Sequence, residues 1–271
     1  MEARNRSLPD WLTRIRTRQI QLPRFQRMEA WGHKQVSDLL RTVLRGLPAG
    51  ALLTLEVGDK IPFISRSMVG APAHGERISE LLLDGQQRLT ALWRSLTDDY
   101  SDRTYFVQVP DGELVLDDVE VVPQPRWLKN GQKFPVWADS QNECWERRLV
   151  PVRLLNPHES VEPQISAWAE QAGNREPQVV IRIDRLIQRL RQRFIQFNLP
   201  FLALPVGTLP AVALDVFVKM NTSMVKLQAY DIIVAQTEEE TGRSLHDLVQ
   251  GIIHTSPELV AYVRIPVQNE Q

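Results

Sequence analysis

Leu8, Trp11, Leu12 and Ile15 recur at helical spacing over residues 8–17, with Asp10 near the start, and predict a short amphipathic helix. Gln19-Ile20-Gln21-Leu22 reads as a strand that Pro23 ends, because proline cannot donate to a sheet ladder. Over residues 35–45 the stripe Val36, Leu39, Leu40, Val43, Leu44 is the cleanest helical pattern in the chain. Gly46-Leu47-Pro48-Ala49-Gly50 stops it, and residues 51–57 follow as a buried strand. A second apolar run, Leu81-Leu82-Leu83, precedes a helix with Leu89, Leu92, Trp93 and Leu96 on one face. Residues 105–109 and 113–116 predict a hairpin across Pro110-Asp111-Gly112.

From about residue 122 to 137 the chain is rich in Pro, Trp and Lys and reads as an extended linker or wrapping loop. Helical spacing then dominates. Val180, Ile183, Leu186, Ile187, Leu190, Phe194 and Phe197 mark one long helix. Residues 211–220 mark another, with Val212, Val216, Phe217 and Met220 inward, and residues 245–253 a later one. The pattern predicts an α+β domain over residues 1–145 and a mainly helical one over residues 146–271.

Composition narrows the function classes. The 271 residues are 43% hydrophobic and 24% charged, ordinary for a soluble globular protein. Lys and Arg number 32 against 33 Asp and Glu, so no global basic field advertises nucleic acid, and any such contact is local. The single Cys144 forms no internal disulfide, which with the polar N-terminus fits a reducing cytoplasm. The most apolar stretch, residues 199–218, is interrupted by Pro200, Pro205, Gly207, Pro210 and Asp215, so no membrane span is expected. The five histidines form no zinc or H-E-x-x-H pattern, and no Walker-type phosphate loop is present.

The chemistry concentrates in Asp84-Gly85-Gln86-Gln87-Arg88, between the second strand run and its helix. Gly85 can take a positive φ at the turn, and the first N–H groups of the helix point toward whatever occupies it. Arg88 can fork onto two phosphate oxygens, Gln86 and Gln87 can donate to others, and Asp84 can hold Mg²⁺ directly or through water. An Asp-Gly turn before a helix is also common as plain capping geometry, and Gln-Gln-Arg is also ordinary solvated surface. Upstream, Leu22-Pro23-Arg24-Phe25-Gln26-Arg27-Met28-Glu29-Ala30-Trp31 reads locally as a strand end followed by aromatic core anchors. Arg182, Arg185, Arg189 and Arg193 share one face of the long helix. Such a row can track a phosphate backbone, but more often it is a solvated face.

The segment DGQQRLTAL resembles the hallmark of the GmrSD-type restriction proteins, a bacterial phage-defence family with a ParB/sulfiredoxin-like N-terminal domain. Pro23, Gln26, Arg27 and Trp31 match a second pattern of that family, with Phe25 for the usual Tyr and Glu29 where an aromatic is usual. A third, weaker match is Phe217-Val218-Lys219-Met220-Asn221, with Met224 where Gly is common and Asp231 beyond. The resemblance implies that Gln26, Arg27, Gly85, Gln86 and Asn221 contact a nucleoside triphosphate, and that Asp84, Gln87 and Arg88 act on it with Mg²⁺ at Asp84. It further implies control of a nuclease, domain or subunit, that attacks modified DNA. The alternative is a non-catalytic nucleotide or DNA sensor. Family members generally continue into a His-Asn-His-like nuclease region, which the residues after Leu259 do not resemble, so no nuclease activity is expected of residues 1–271 alone.

Overall fold

Strand β1 (Glu2–Ser7) runs directly into helix α1 (Leu8–Arg16), whose start is fixed by Ser7: its Oγ accepts from the Asp10 N–H, and Pro9 sits where no N–H is needed. β2 (Ile20–Pro23) and α2 (His33–Arg45) follow. Gly46 ends α2 in the left-handed region, at φ 70°, so that Leu47 N–H returns to Thr42 O. β3 (Leu52–Glu56), β4 (Ser65–Arg66), β5 (Glu80–Asp84) and α3 (Gln86–Thr97) complete the first half. This computed structural model describes residues 1–26, 28–73, 75–112 and 114–221.

The second half contains β6 (Arg103–Gln108), β7 (Glu120–Pro125), β8 (Trp127–Lys129), β9 (Gln132–Phe134), α4 (Gln141–Glu146) and β10 (Leu149–Pro151). Then come α5 (Glu162–Ala172), α6 (Pro177–Gln196), β11 (Asn198–Leu204) and α7 (Pro210–Asn221). The main sheet has the order β1-β11-β3-β5-β2-β4. β11 lies antiparallel to β1 and parallel to β3, so the late strand enters the sheet of the early ones. Mixed helices and strands make the fold α+β.

Alternation across the strands divides the apolar residues between two cores. Leu52, Leu82, Ile20 and Leu22 face the larger one, with α1, α2, α3, α5 and α6. Leu53, Leu55, Leu81, Leu83 and Leu204 face the smaller one, with Phe25, Phe63 and the α7 residues Ala213, Leu214 and Phe217. β5 is thus covered on both faces, which is why its sequence is a continuous apolar run. Its first residue, Glu80, is buried but paired. Arg6 grips it with two bonds of 2.8 and 2.7 Å, Arg14 adds a third at 3.1 Å, and Arg6 itself lies against Trp11 and Phe201.

Three expectations are corrected. The hairpin across Pro110-Asp111-Gly112 does not form: β6 pairs with β7, with Phe106 opposite Val122 and Val107 opposite Val121. Leu114 is buried and Leu116 opens a 3₁₀ turn, so the chain leaves the sheet before returning at residue 120. Residues 122–137 are not a featureless linker, since β8 and β9 form a hairpin across Asn130-Gly131, both at positive φ as a type I′ turn requires. In α7 the inward face is shifted: Ala213, Leu214 and Phe217 are buried, while Val212 is 49% exposed. The helix expected over residues 245–253 lies outside the described residues.

Candidate functional site

β5 delivers Asp84 to the edge of the core, and the chain turns there through Gly85 at φ 96°. A side chain at that position is excluded twice. Its backbone is left-handed, and a Cβ would fall 2.1 Å from Leu52 Cδ2. α3 begins at Gln86 and its N-terminus receives no side-chain cap. The apolar face of the helix, Leu89, Leu92 and Leu96, fixes its orientation against the larger core. The turn and the first helical N–H groups therefore stand on a rigid strand–helix joint.

Arg88 folds back over this turn. Its Nη2 donates to Asp84 Oδ2 at 3.1 Å and its Nη1 to Ala49 O at 2.9 Å. Gly50, at φ 81°, permits that approach, because a Cβ there would lie 2.6 Å from Nη1. Burial lowers the pKa of Arg88 and the neighbouring Asp84 carboxylate partly offsets this, yet a guanidinium remains charged at any physiological pH. The result is a half-buried cation at a helix N-terminus, beside one partly exposed carboxylate.

The glutamines divide the labour differently. Gln87 Oε1 accepts from the backbone N–H groups of Ala30 (2.8 Å) and Trp31 (3.2 Å), and its Nε2 donates to Met28 O (3.2 Å). Both ends of its amide are thus committed to holding residues 28–31 against α3. Gln26, buried, donates from Nε2 to Leu82 O and Leu83 O at 2.6 and 2.7 Å, immediately before Asp84. Its Oε1 is buried with no donor among the described residues. Gln86 is buried in the first turn of α3. Arg27 lies outside the described residues. Asn221 ends α7 one turn beyond Phe217, which packs on Phe25 at 5.8 Å, so α7 abuts the segment bearing Gln26; the side chain of Asn221 lies outside the described set.

Two groups near the turn were not legible in the spacing. Arg66 on β4 stands opposite Leu22 and donates to Gln26 O at 3.4 Å. Burial, and then repulsion from Arg24, lowers its pKa. Nothing in the sequence pairs β4 with β2, and a two-residue strand carries no period to detect. Glu29 stands where the resemblance implies an aromatic. It is bonded by Arg94 and by Tyr100 Oη (2.9 Å), with the Arg94 guanidinium 4.1 Å above the Tyr100 ring. The segment 26–31 is therefore tied at both ends, by Gln26 to β5 and by Glu29 and Gln87 to α3.

Among the described residues no three His, Cys, Asp or Glu side chains cluster as a metal cage. The donor set at the turn is one carboxylate beside a cation. That suits Mg²⁺ arriving with phosphates and water, not a resident ion held by protein alone. No helix among the described residues is long and apolar enough to cross a membrane.

An uncharacterized protein of Methanocaldococcus jannaschii is 22% identical over 252 residues, covering 85% of this chain and 41% of that protein. The chain thus spans about two fifths of the length of this curated relative. The profile of the family described as GmrSD restriction endonuclease, N-terminal domain, matches residues 8–238, a span that includes α1, every element around the turn, and α7. The chain belongs to this family of GmrSD restriction endonuclease N-terminal domains.

Proposed function

We propose that the domain binds a nucleoside triphosphate at the turn 84–88 and hydrolyses it, and so regulates a DNA nuclease of a modification-dependent phage-defence system in the cytoplasm. The observation that carries this reading is the half-buried Arg88 guanidinium at the uncapped N-terminus of α3, beside Asp84. Desolvated positive charge, a helix start without a side-chain cap and a helix dipole all favour a bound phosphate. Arg88 neutralises charge on the phosphoryl oxygens, and Asp84 orients the attacking water or the metal. Asp84 would hold Mg²⁺ arriving with the phosphates, and the ion would supply further charge neutralisation. Gln87 works indirectly, by positioning residues 28–31, while the buried Gln26 Oε1 offers an acceptor to a donor on the nucleotide. Gly85 makes the tight turn that presents the start of α3 to the phosphates, and Gln86, Arg27 and Asn221 complete the nucleotide contacts. We read the surrounding fold as ParB/sulfiredoxin-like, with residues 1–145 as the nucleotide domain; of the later residues, β11 joins its sheet and α5, α6 and α7 pack on it. DNA, modified or plain, and a nuclease domain or subunit are the partners of the full system.

One observation favours a second reading. Asp84 is already engaged by Arg88, and a carboxylate so paired is a poorer ligand and base, as befits a sensor that binds without turnover. Phosphate release from nucleoside triphosphates with Mg²⁺ separates the two. The proposal expects turnover by the parent and its loss in Asp84→Ala with binding retained. Tight binding with no release by the parent assigns the domain to the sensor class.

A further inference from the structure

A groove of about 230 Å³ lies away from the turn, between α6 and the segment that follows β6. Arg182, Arg185 and Arg189 line it from α6, and Arg148 faces them from the start of β10 together with Trp145 and Asp111. Asp111 is bound by Arg148 Nε at 2.6 Å, and the Arg148 guanidinium sits 5.2 Å from the centre of the Trp145 ring. The α6 arginines are exposed, and among the described residues none of the three forms an ion pair. Four guanidiniums thus converge on a space that holds one carboxylate, already taken.

We propose that this groove binds the phosphodiester backbone of a nucleic acid, as a site separate from the turn 84–88. Arg182, Arg185 and Arg189 rise along α6 by about 4.5 and then 6 Å. Phosphates along one strand are spaced about 3.4 Å along the axis, so the row faces about three of them. A single phosphate group would leave most of the row unmatched. The half-buried Trp145 adds a flat apolar face beside the cations, the combination that tracks a backbone while a base stacks. A run of acidic side chains alone would match the charges but has no ring to place on the indole. Arg193, on the same helical face, is not part of the groove: it approaches Gly46 at the end of α2.

The test is fluorescence anisotropy with short labelled single-stranded and double-stranded oligonucleotides, titrated with the full chain between about 50 and 200 mM salt. The parent should bind. Arg185→Glu combined with Arg189→Glu should bind at least about tenfold more weakly, with a salt slope smaller by about 1.4–1.8. The neutral pair Arg185→Gln, Arg189→Gln, milder toward α6, should show the same drop in slope. Arg77→Glu, at an exposed site elsewhere, should bind like the parent. Whichever oligonucleotide binds more tightly identifies the form of strand the groove takes. Nucleotide binding should be unchanged in the groove variants, so failure of one site is distinguishable from failure of the other. No binding by the parent, parent-like binding by both variant pairs, or equally tight binding of a poly-glutamate peptide would each overturn the proposal.

Discussion

Gln87 shows how much of the region around the turn depends on single amides. With its Oε1 accepting from two backbone N–H groups and its Nε2 donating to Met28 O, it replaces the regular structure that residues 28–31 lack. Gln87→Ala should leave the fold intact but raise amide hydrogen exchange at Ala30 and Trp31. Gln87→Glu keeps the acceptor and should largely preserve protection at both. Equal exchange in the parent and in Gln87→Ala would show that the segment is held by something else. At Gly85 the prediction is structural: Gly85→Ala forces a left-handed alanine into Leu52 and should cost about 1–3 kcal/mol in urea unfolding. The sequence made Asp84, Gly85 and Arg88 legible, because turn chemistry and helix starts are local. It left the partners of Gln87 and Glu29 hidden, because these lie about sixty residues away along the chain and no local pattern encodes them.

The elements divide along the same line. α1, α2 and α3 could be read from periodicity because each buries one stripe against the same core: Val36, Leu39, Leu40, Val43 and Leu44 of α2 are all buried. Strand pairing could not be read. β11 sits beside β3 across about 150 residues of chain, and β6 passes over the nearest candidate partner to pair with β7. Local turn residues suggested the wrong hairpin, while the Asn130-Gly131 signal of the true one was masked by its Pro- and Lys-rich surroundings. Since the helix stripes position the turn, Leu39→Ala or Leu92→Ala should each destabilise the protein by about 2–5 kcal/mol. Melting temperatures like the parent's for both would contradict the packing described for α2 and α3.

Across the whole molecule, the core that α1, α2 and α3 share with α5 and α6 gives one chemical probe of integrity. Cys144 is buried, and burial pushes its thiol up to about 11, so it stays protonated at neutral pH and above. A disulfide reagent at pH 8 should react slowly with the folded chain and at once in denaturant; fast reaction in the native state would show α4 opening. The same folded chain carries the central claim, that the turn 84–88 is a nucleotide phosphate site whose attraction comes chiefly from Arg88. Isothermal titration calorimetry of Mg²⁺–nucleoside triphosphate into the parent and into Arg88→Ala tests it most directly. Loss of a charge-assisted contact worth about 1.5–3 kcal/mol should weaken binding by roughly tenfold to a hundredfold while the variant stays folded. Saturable heats of equal affinity in the two proteins, or no binding by the parent to any nucleoside triphosphate, would contradict the account.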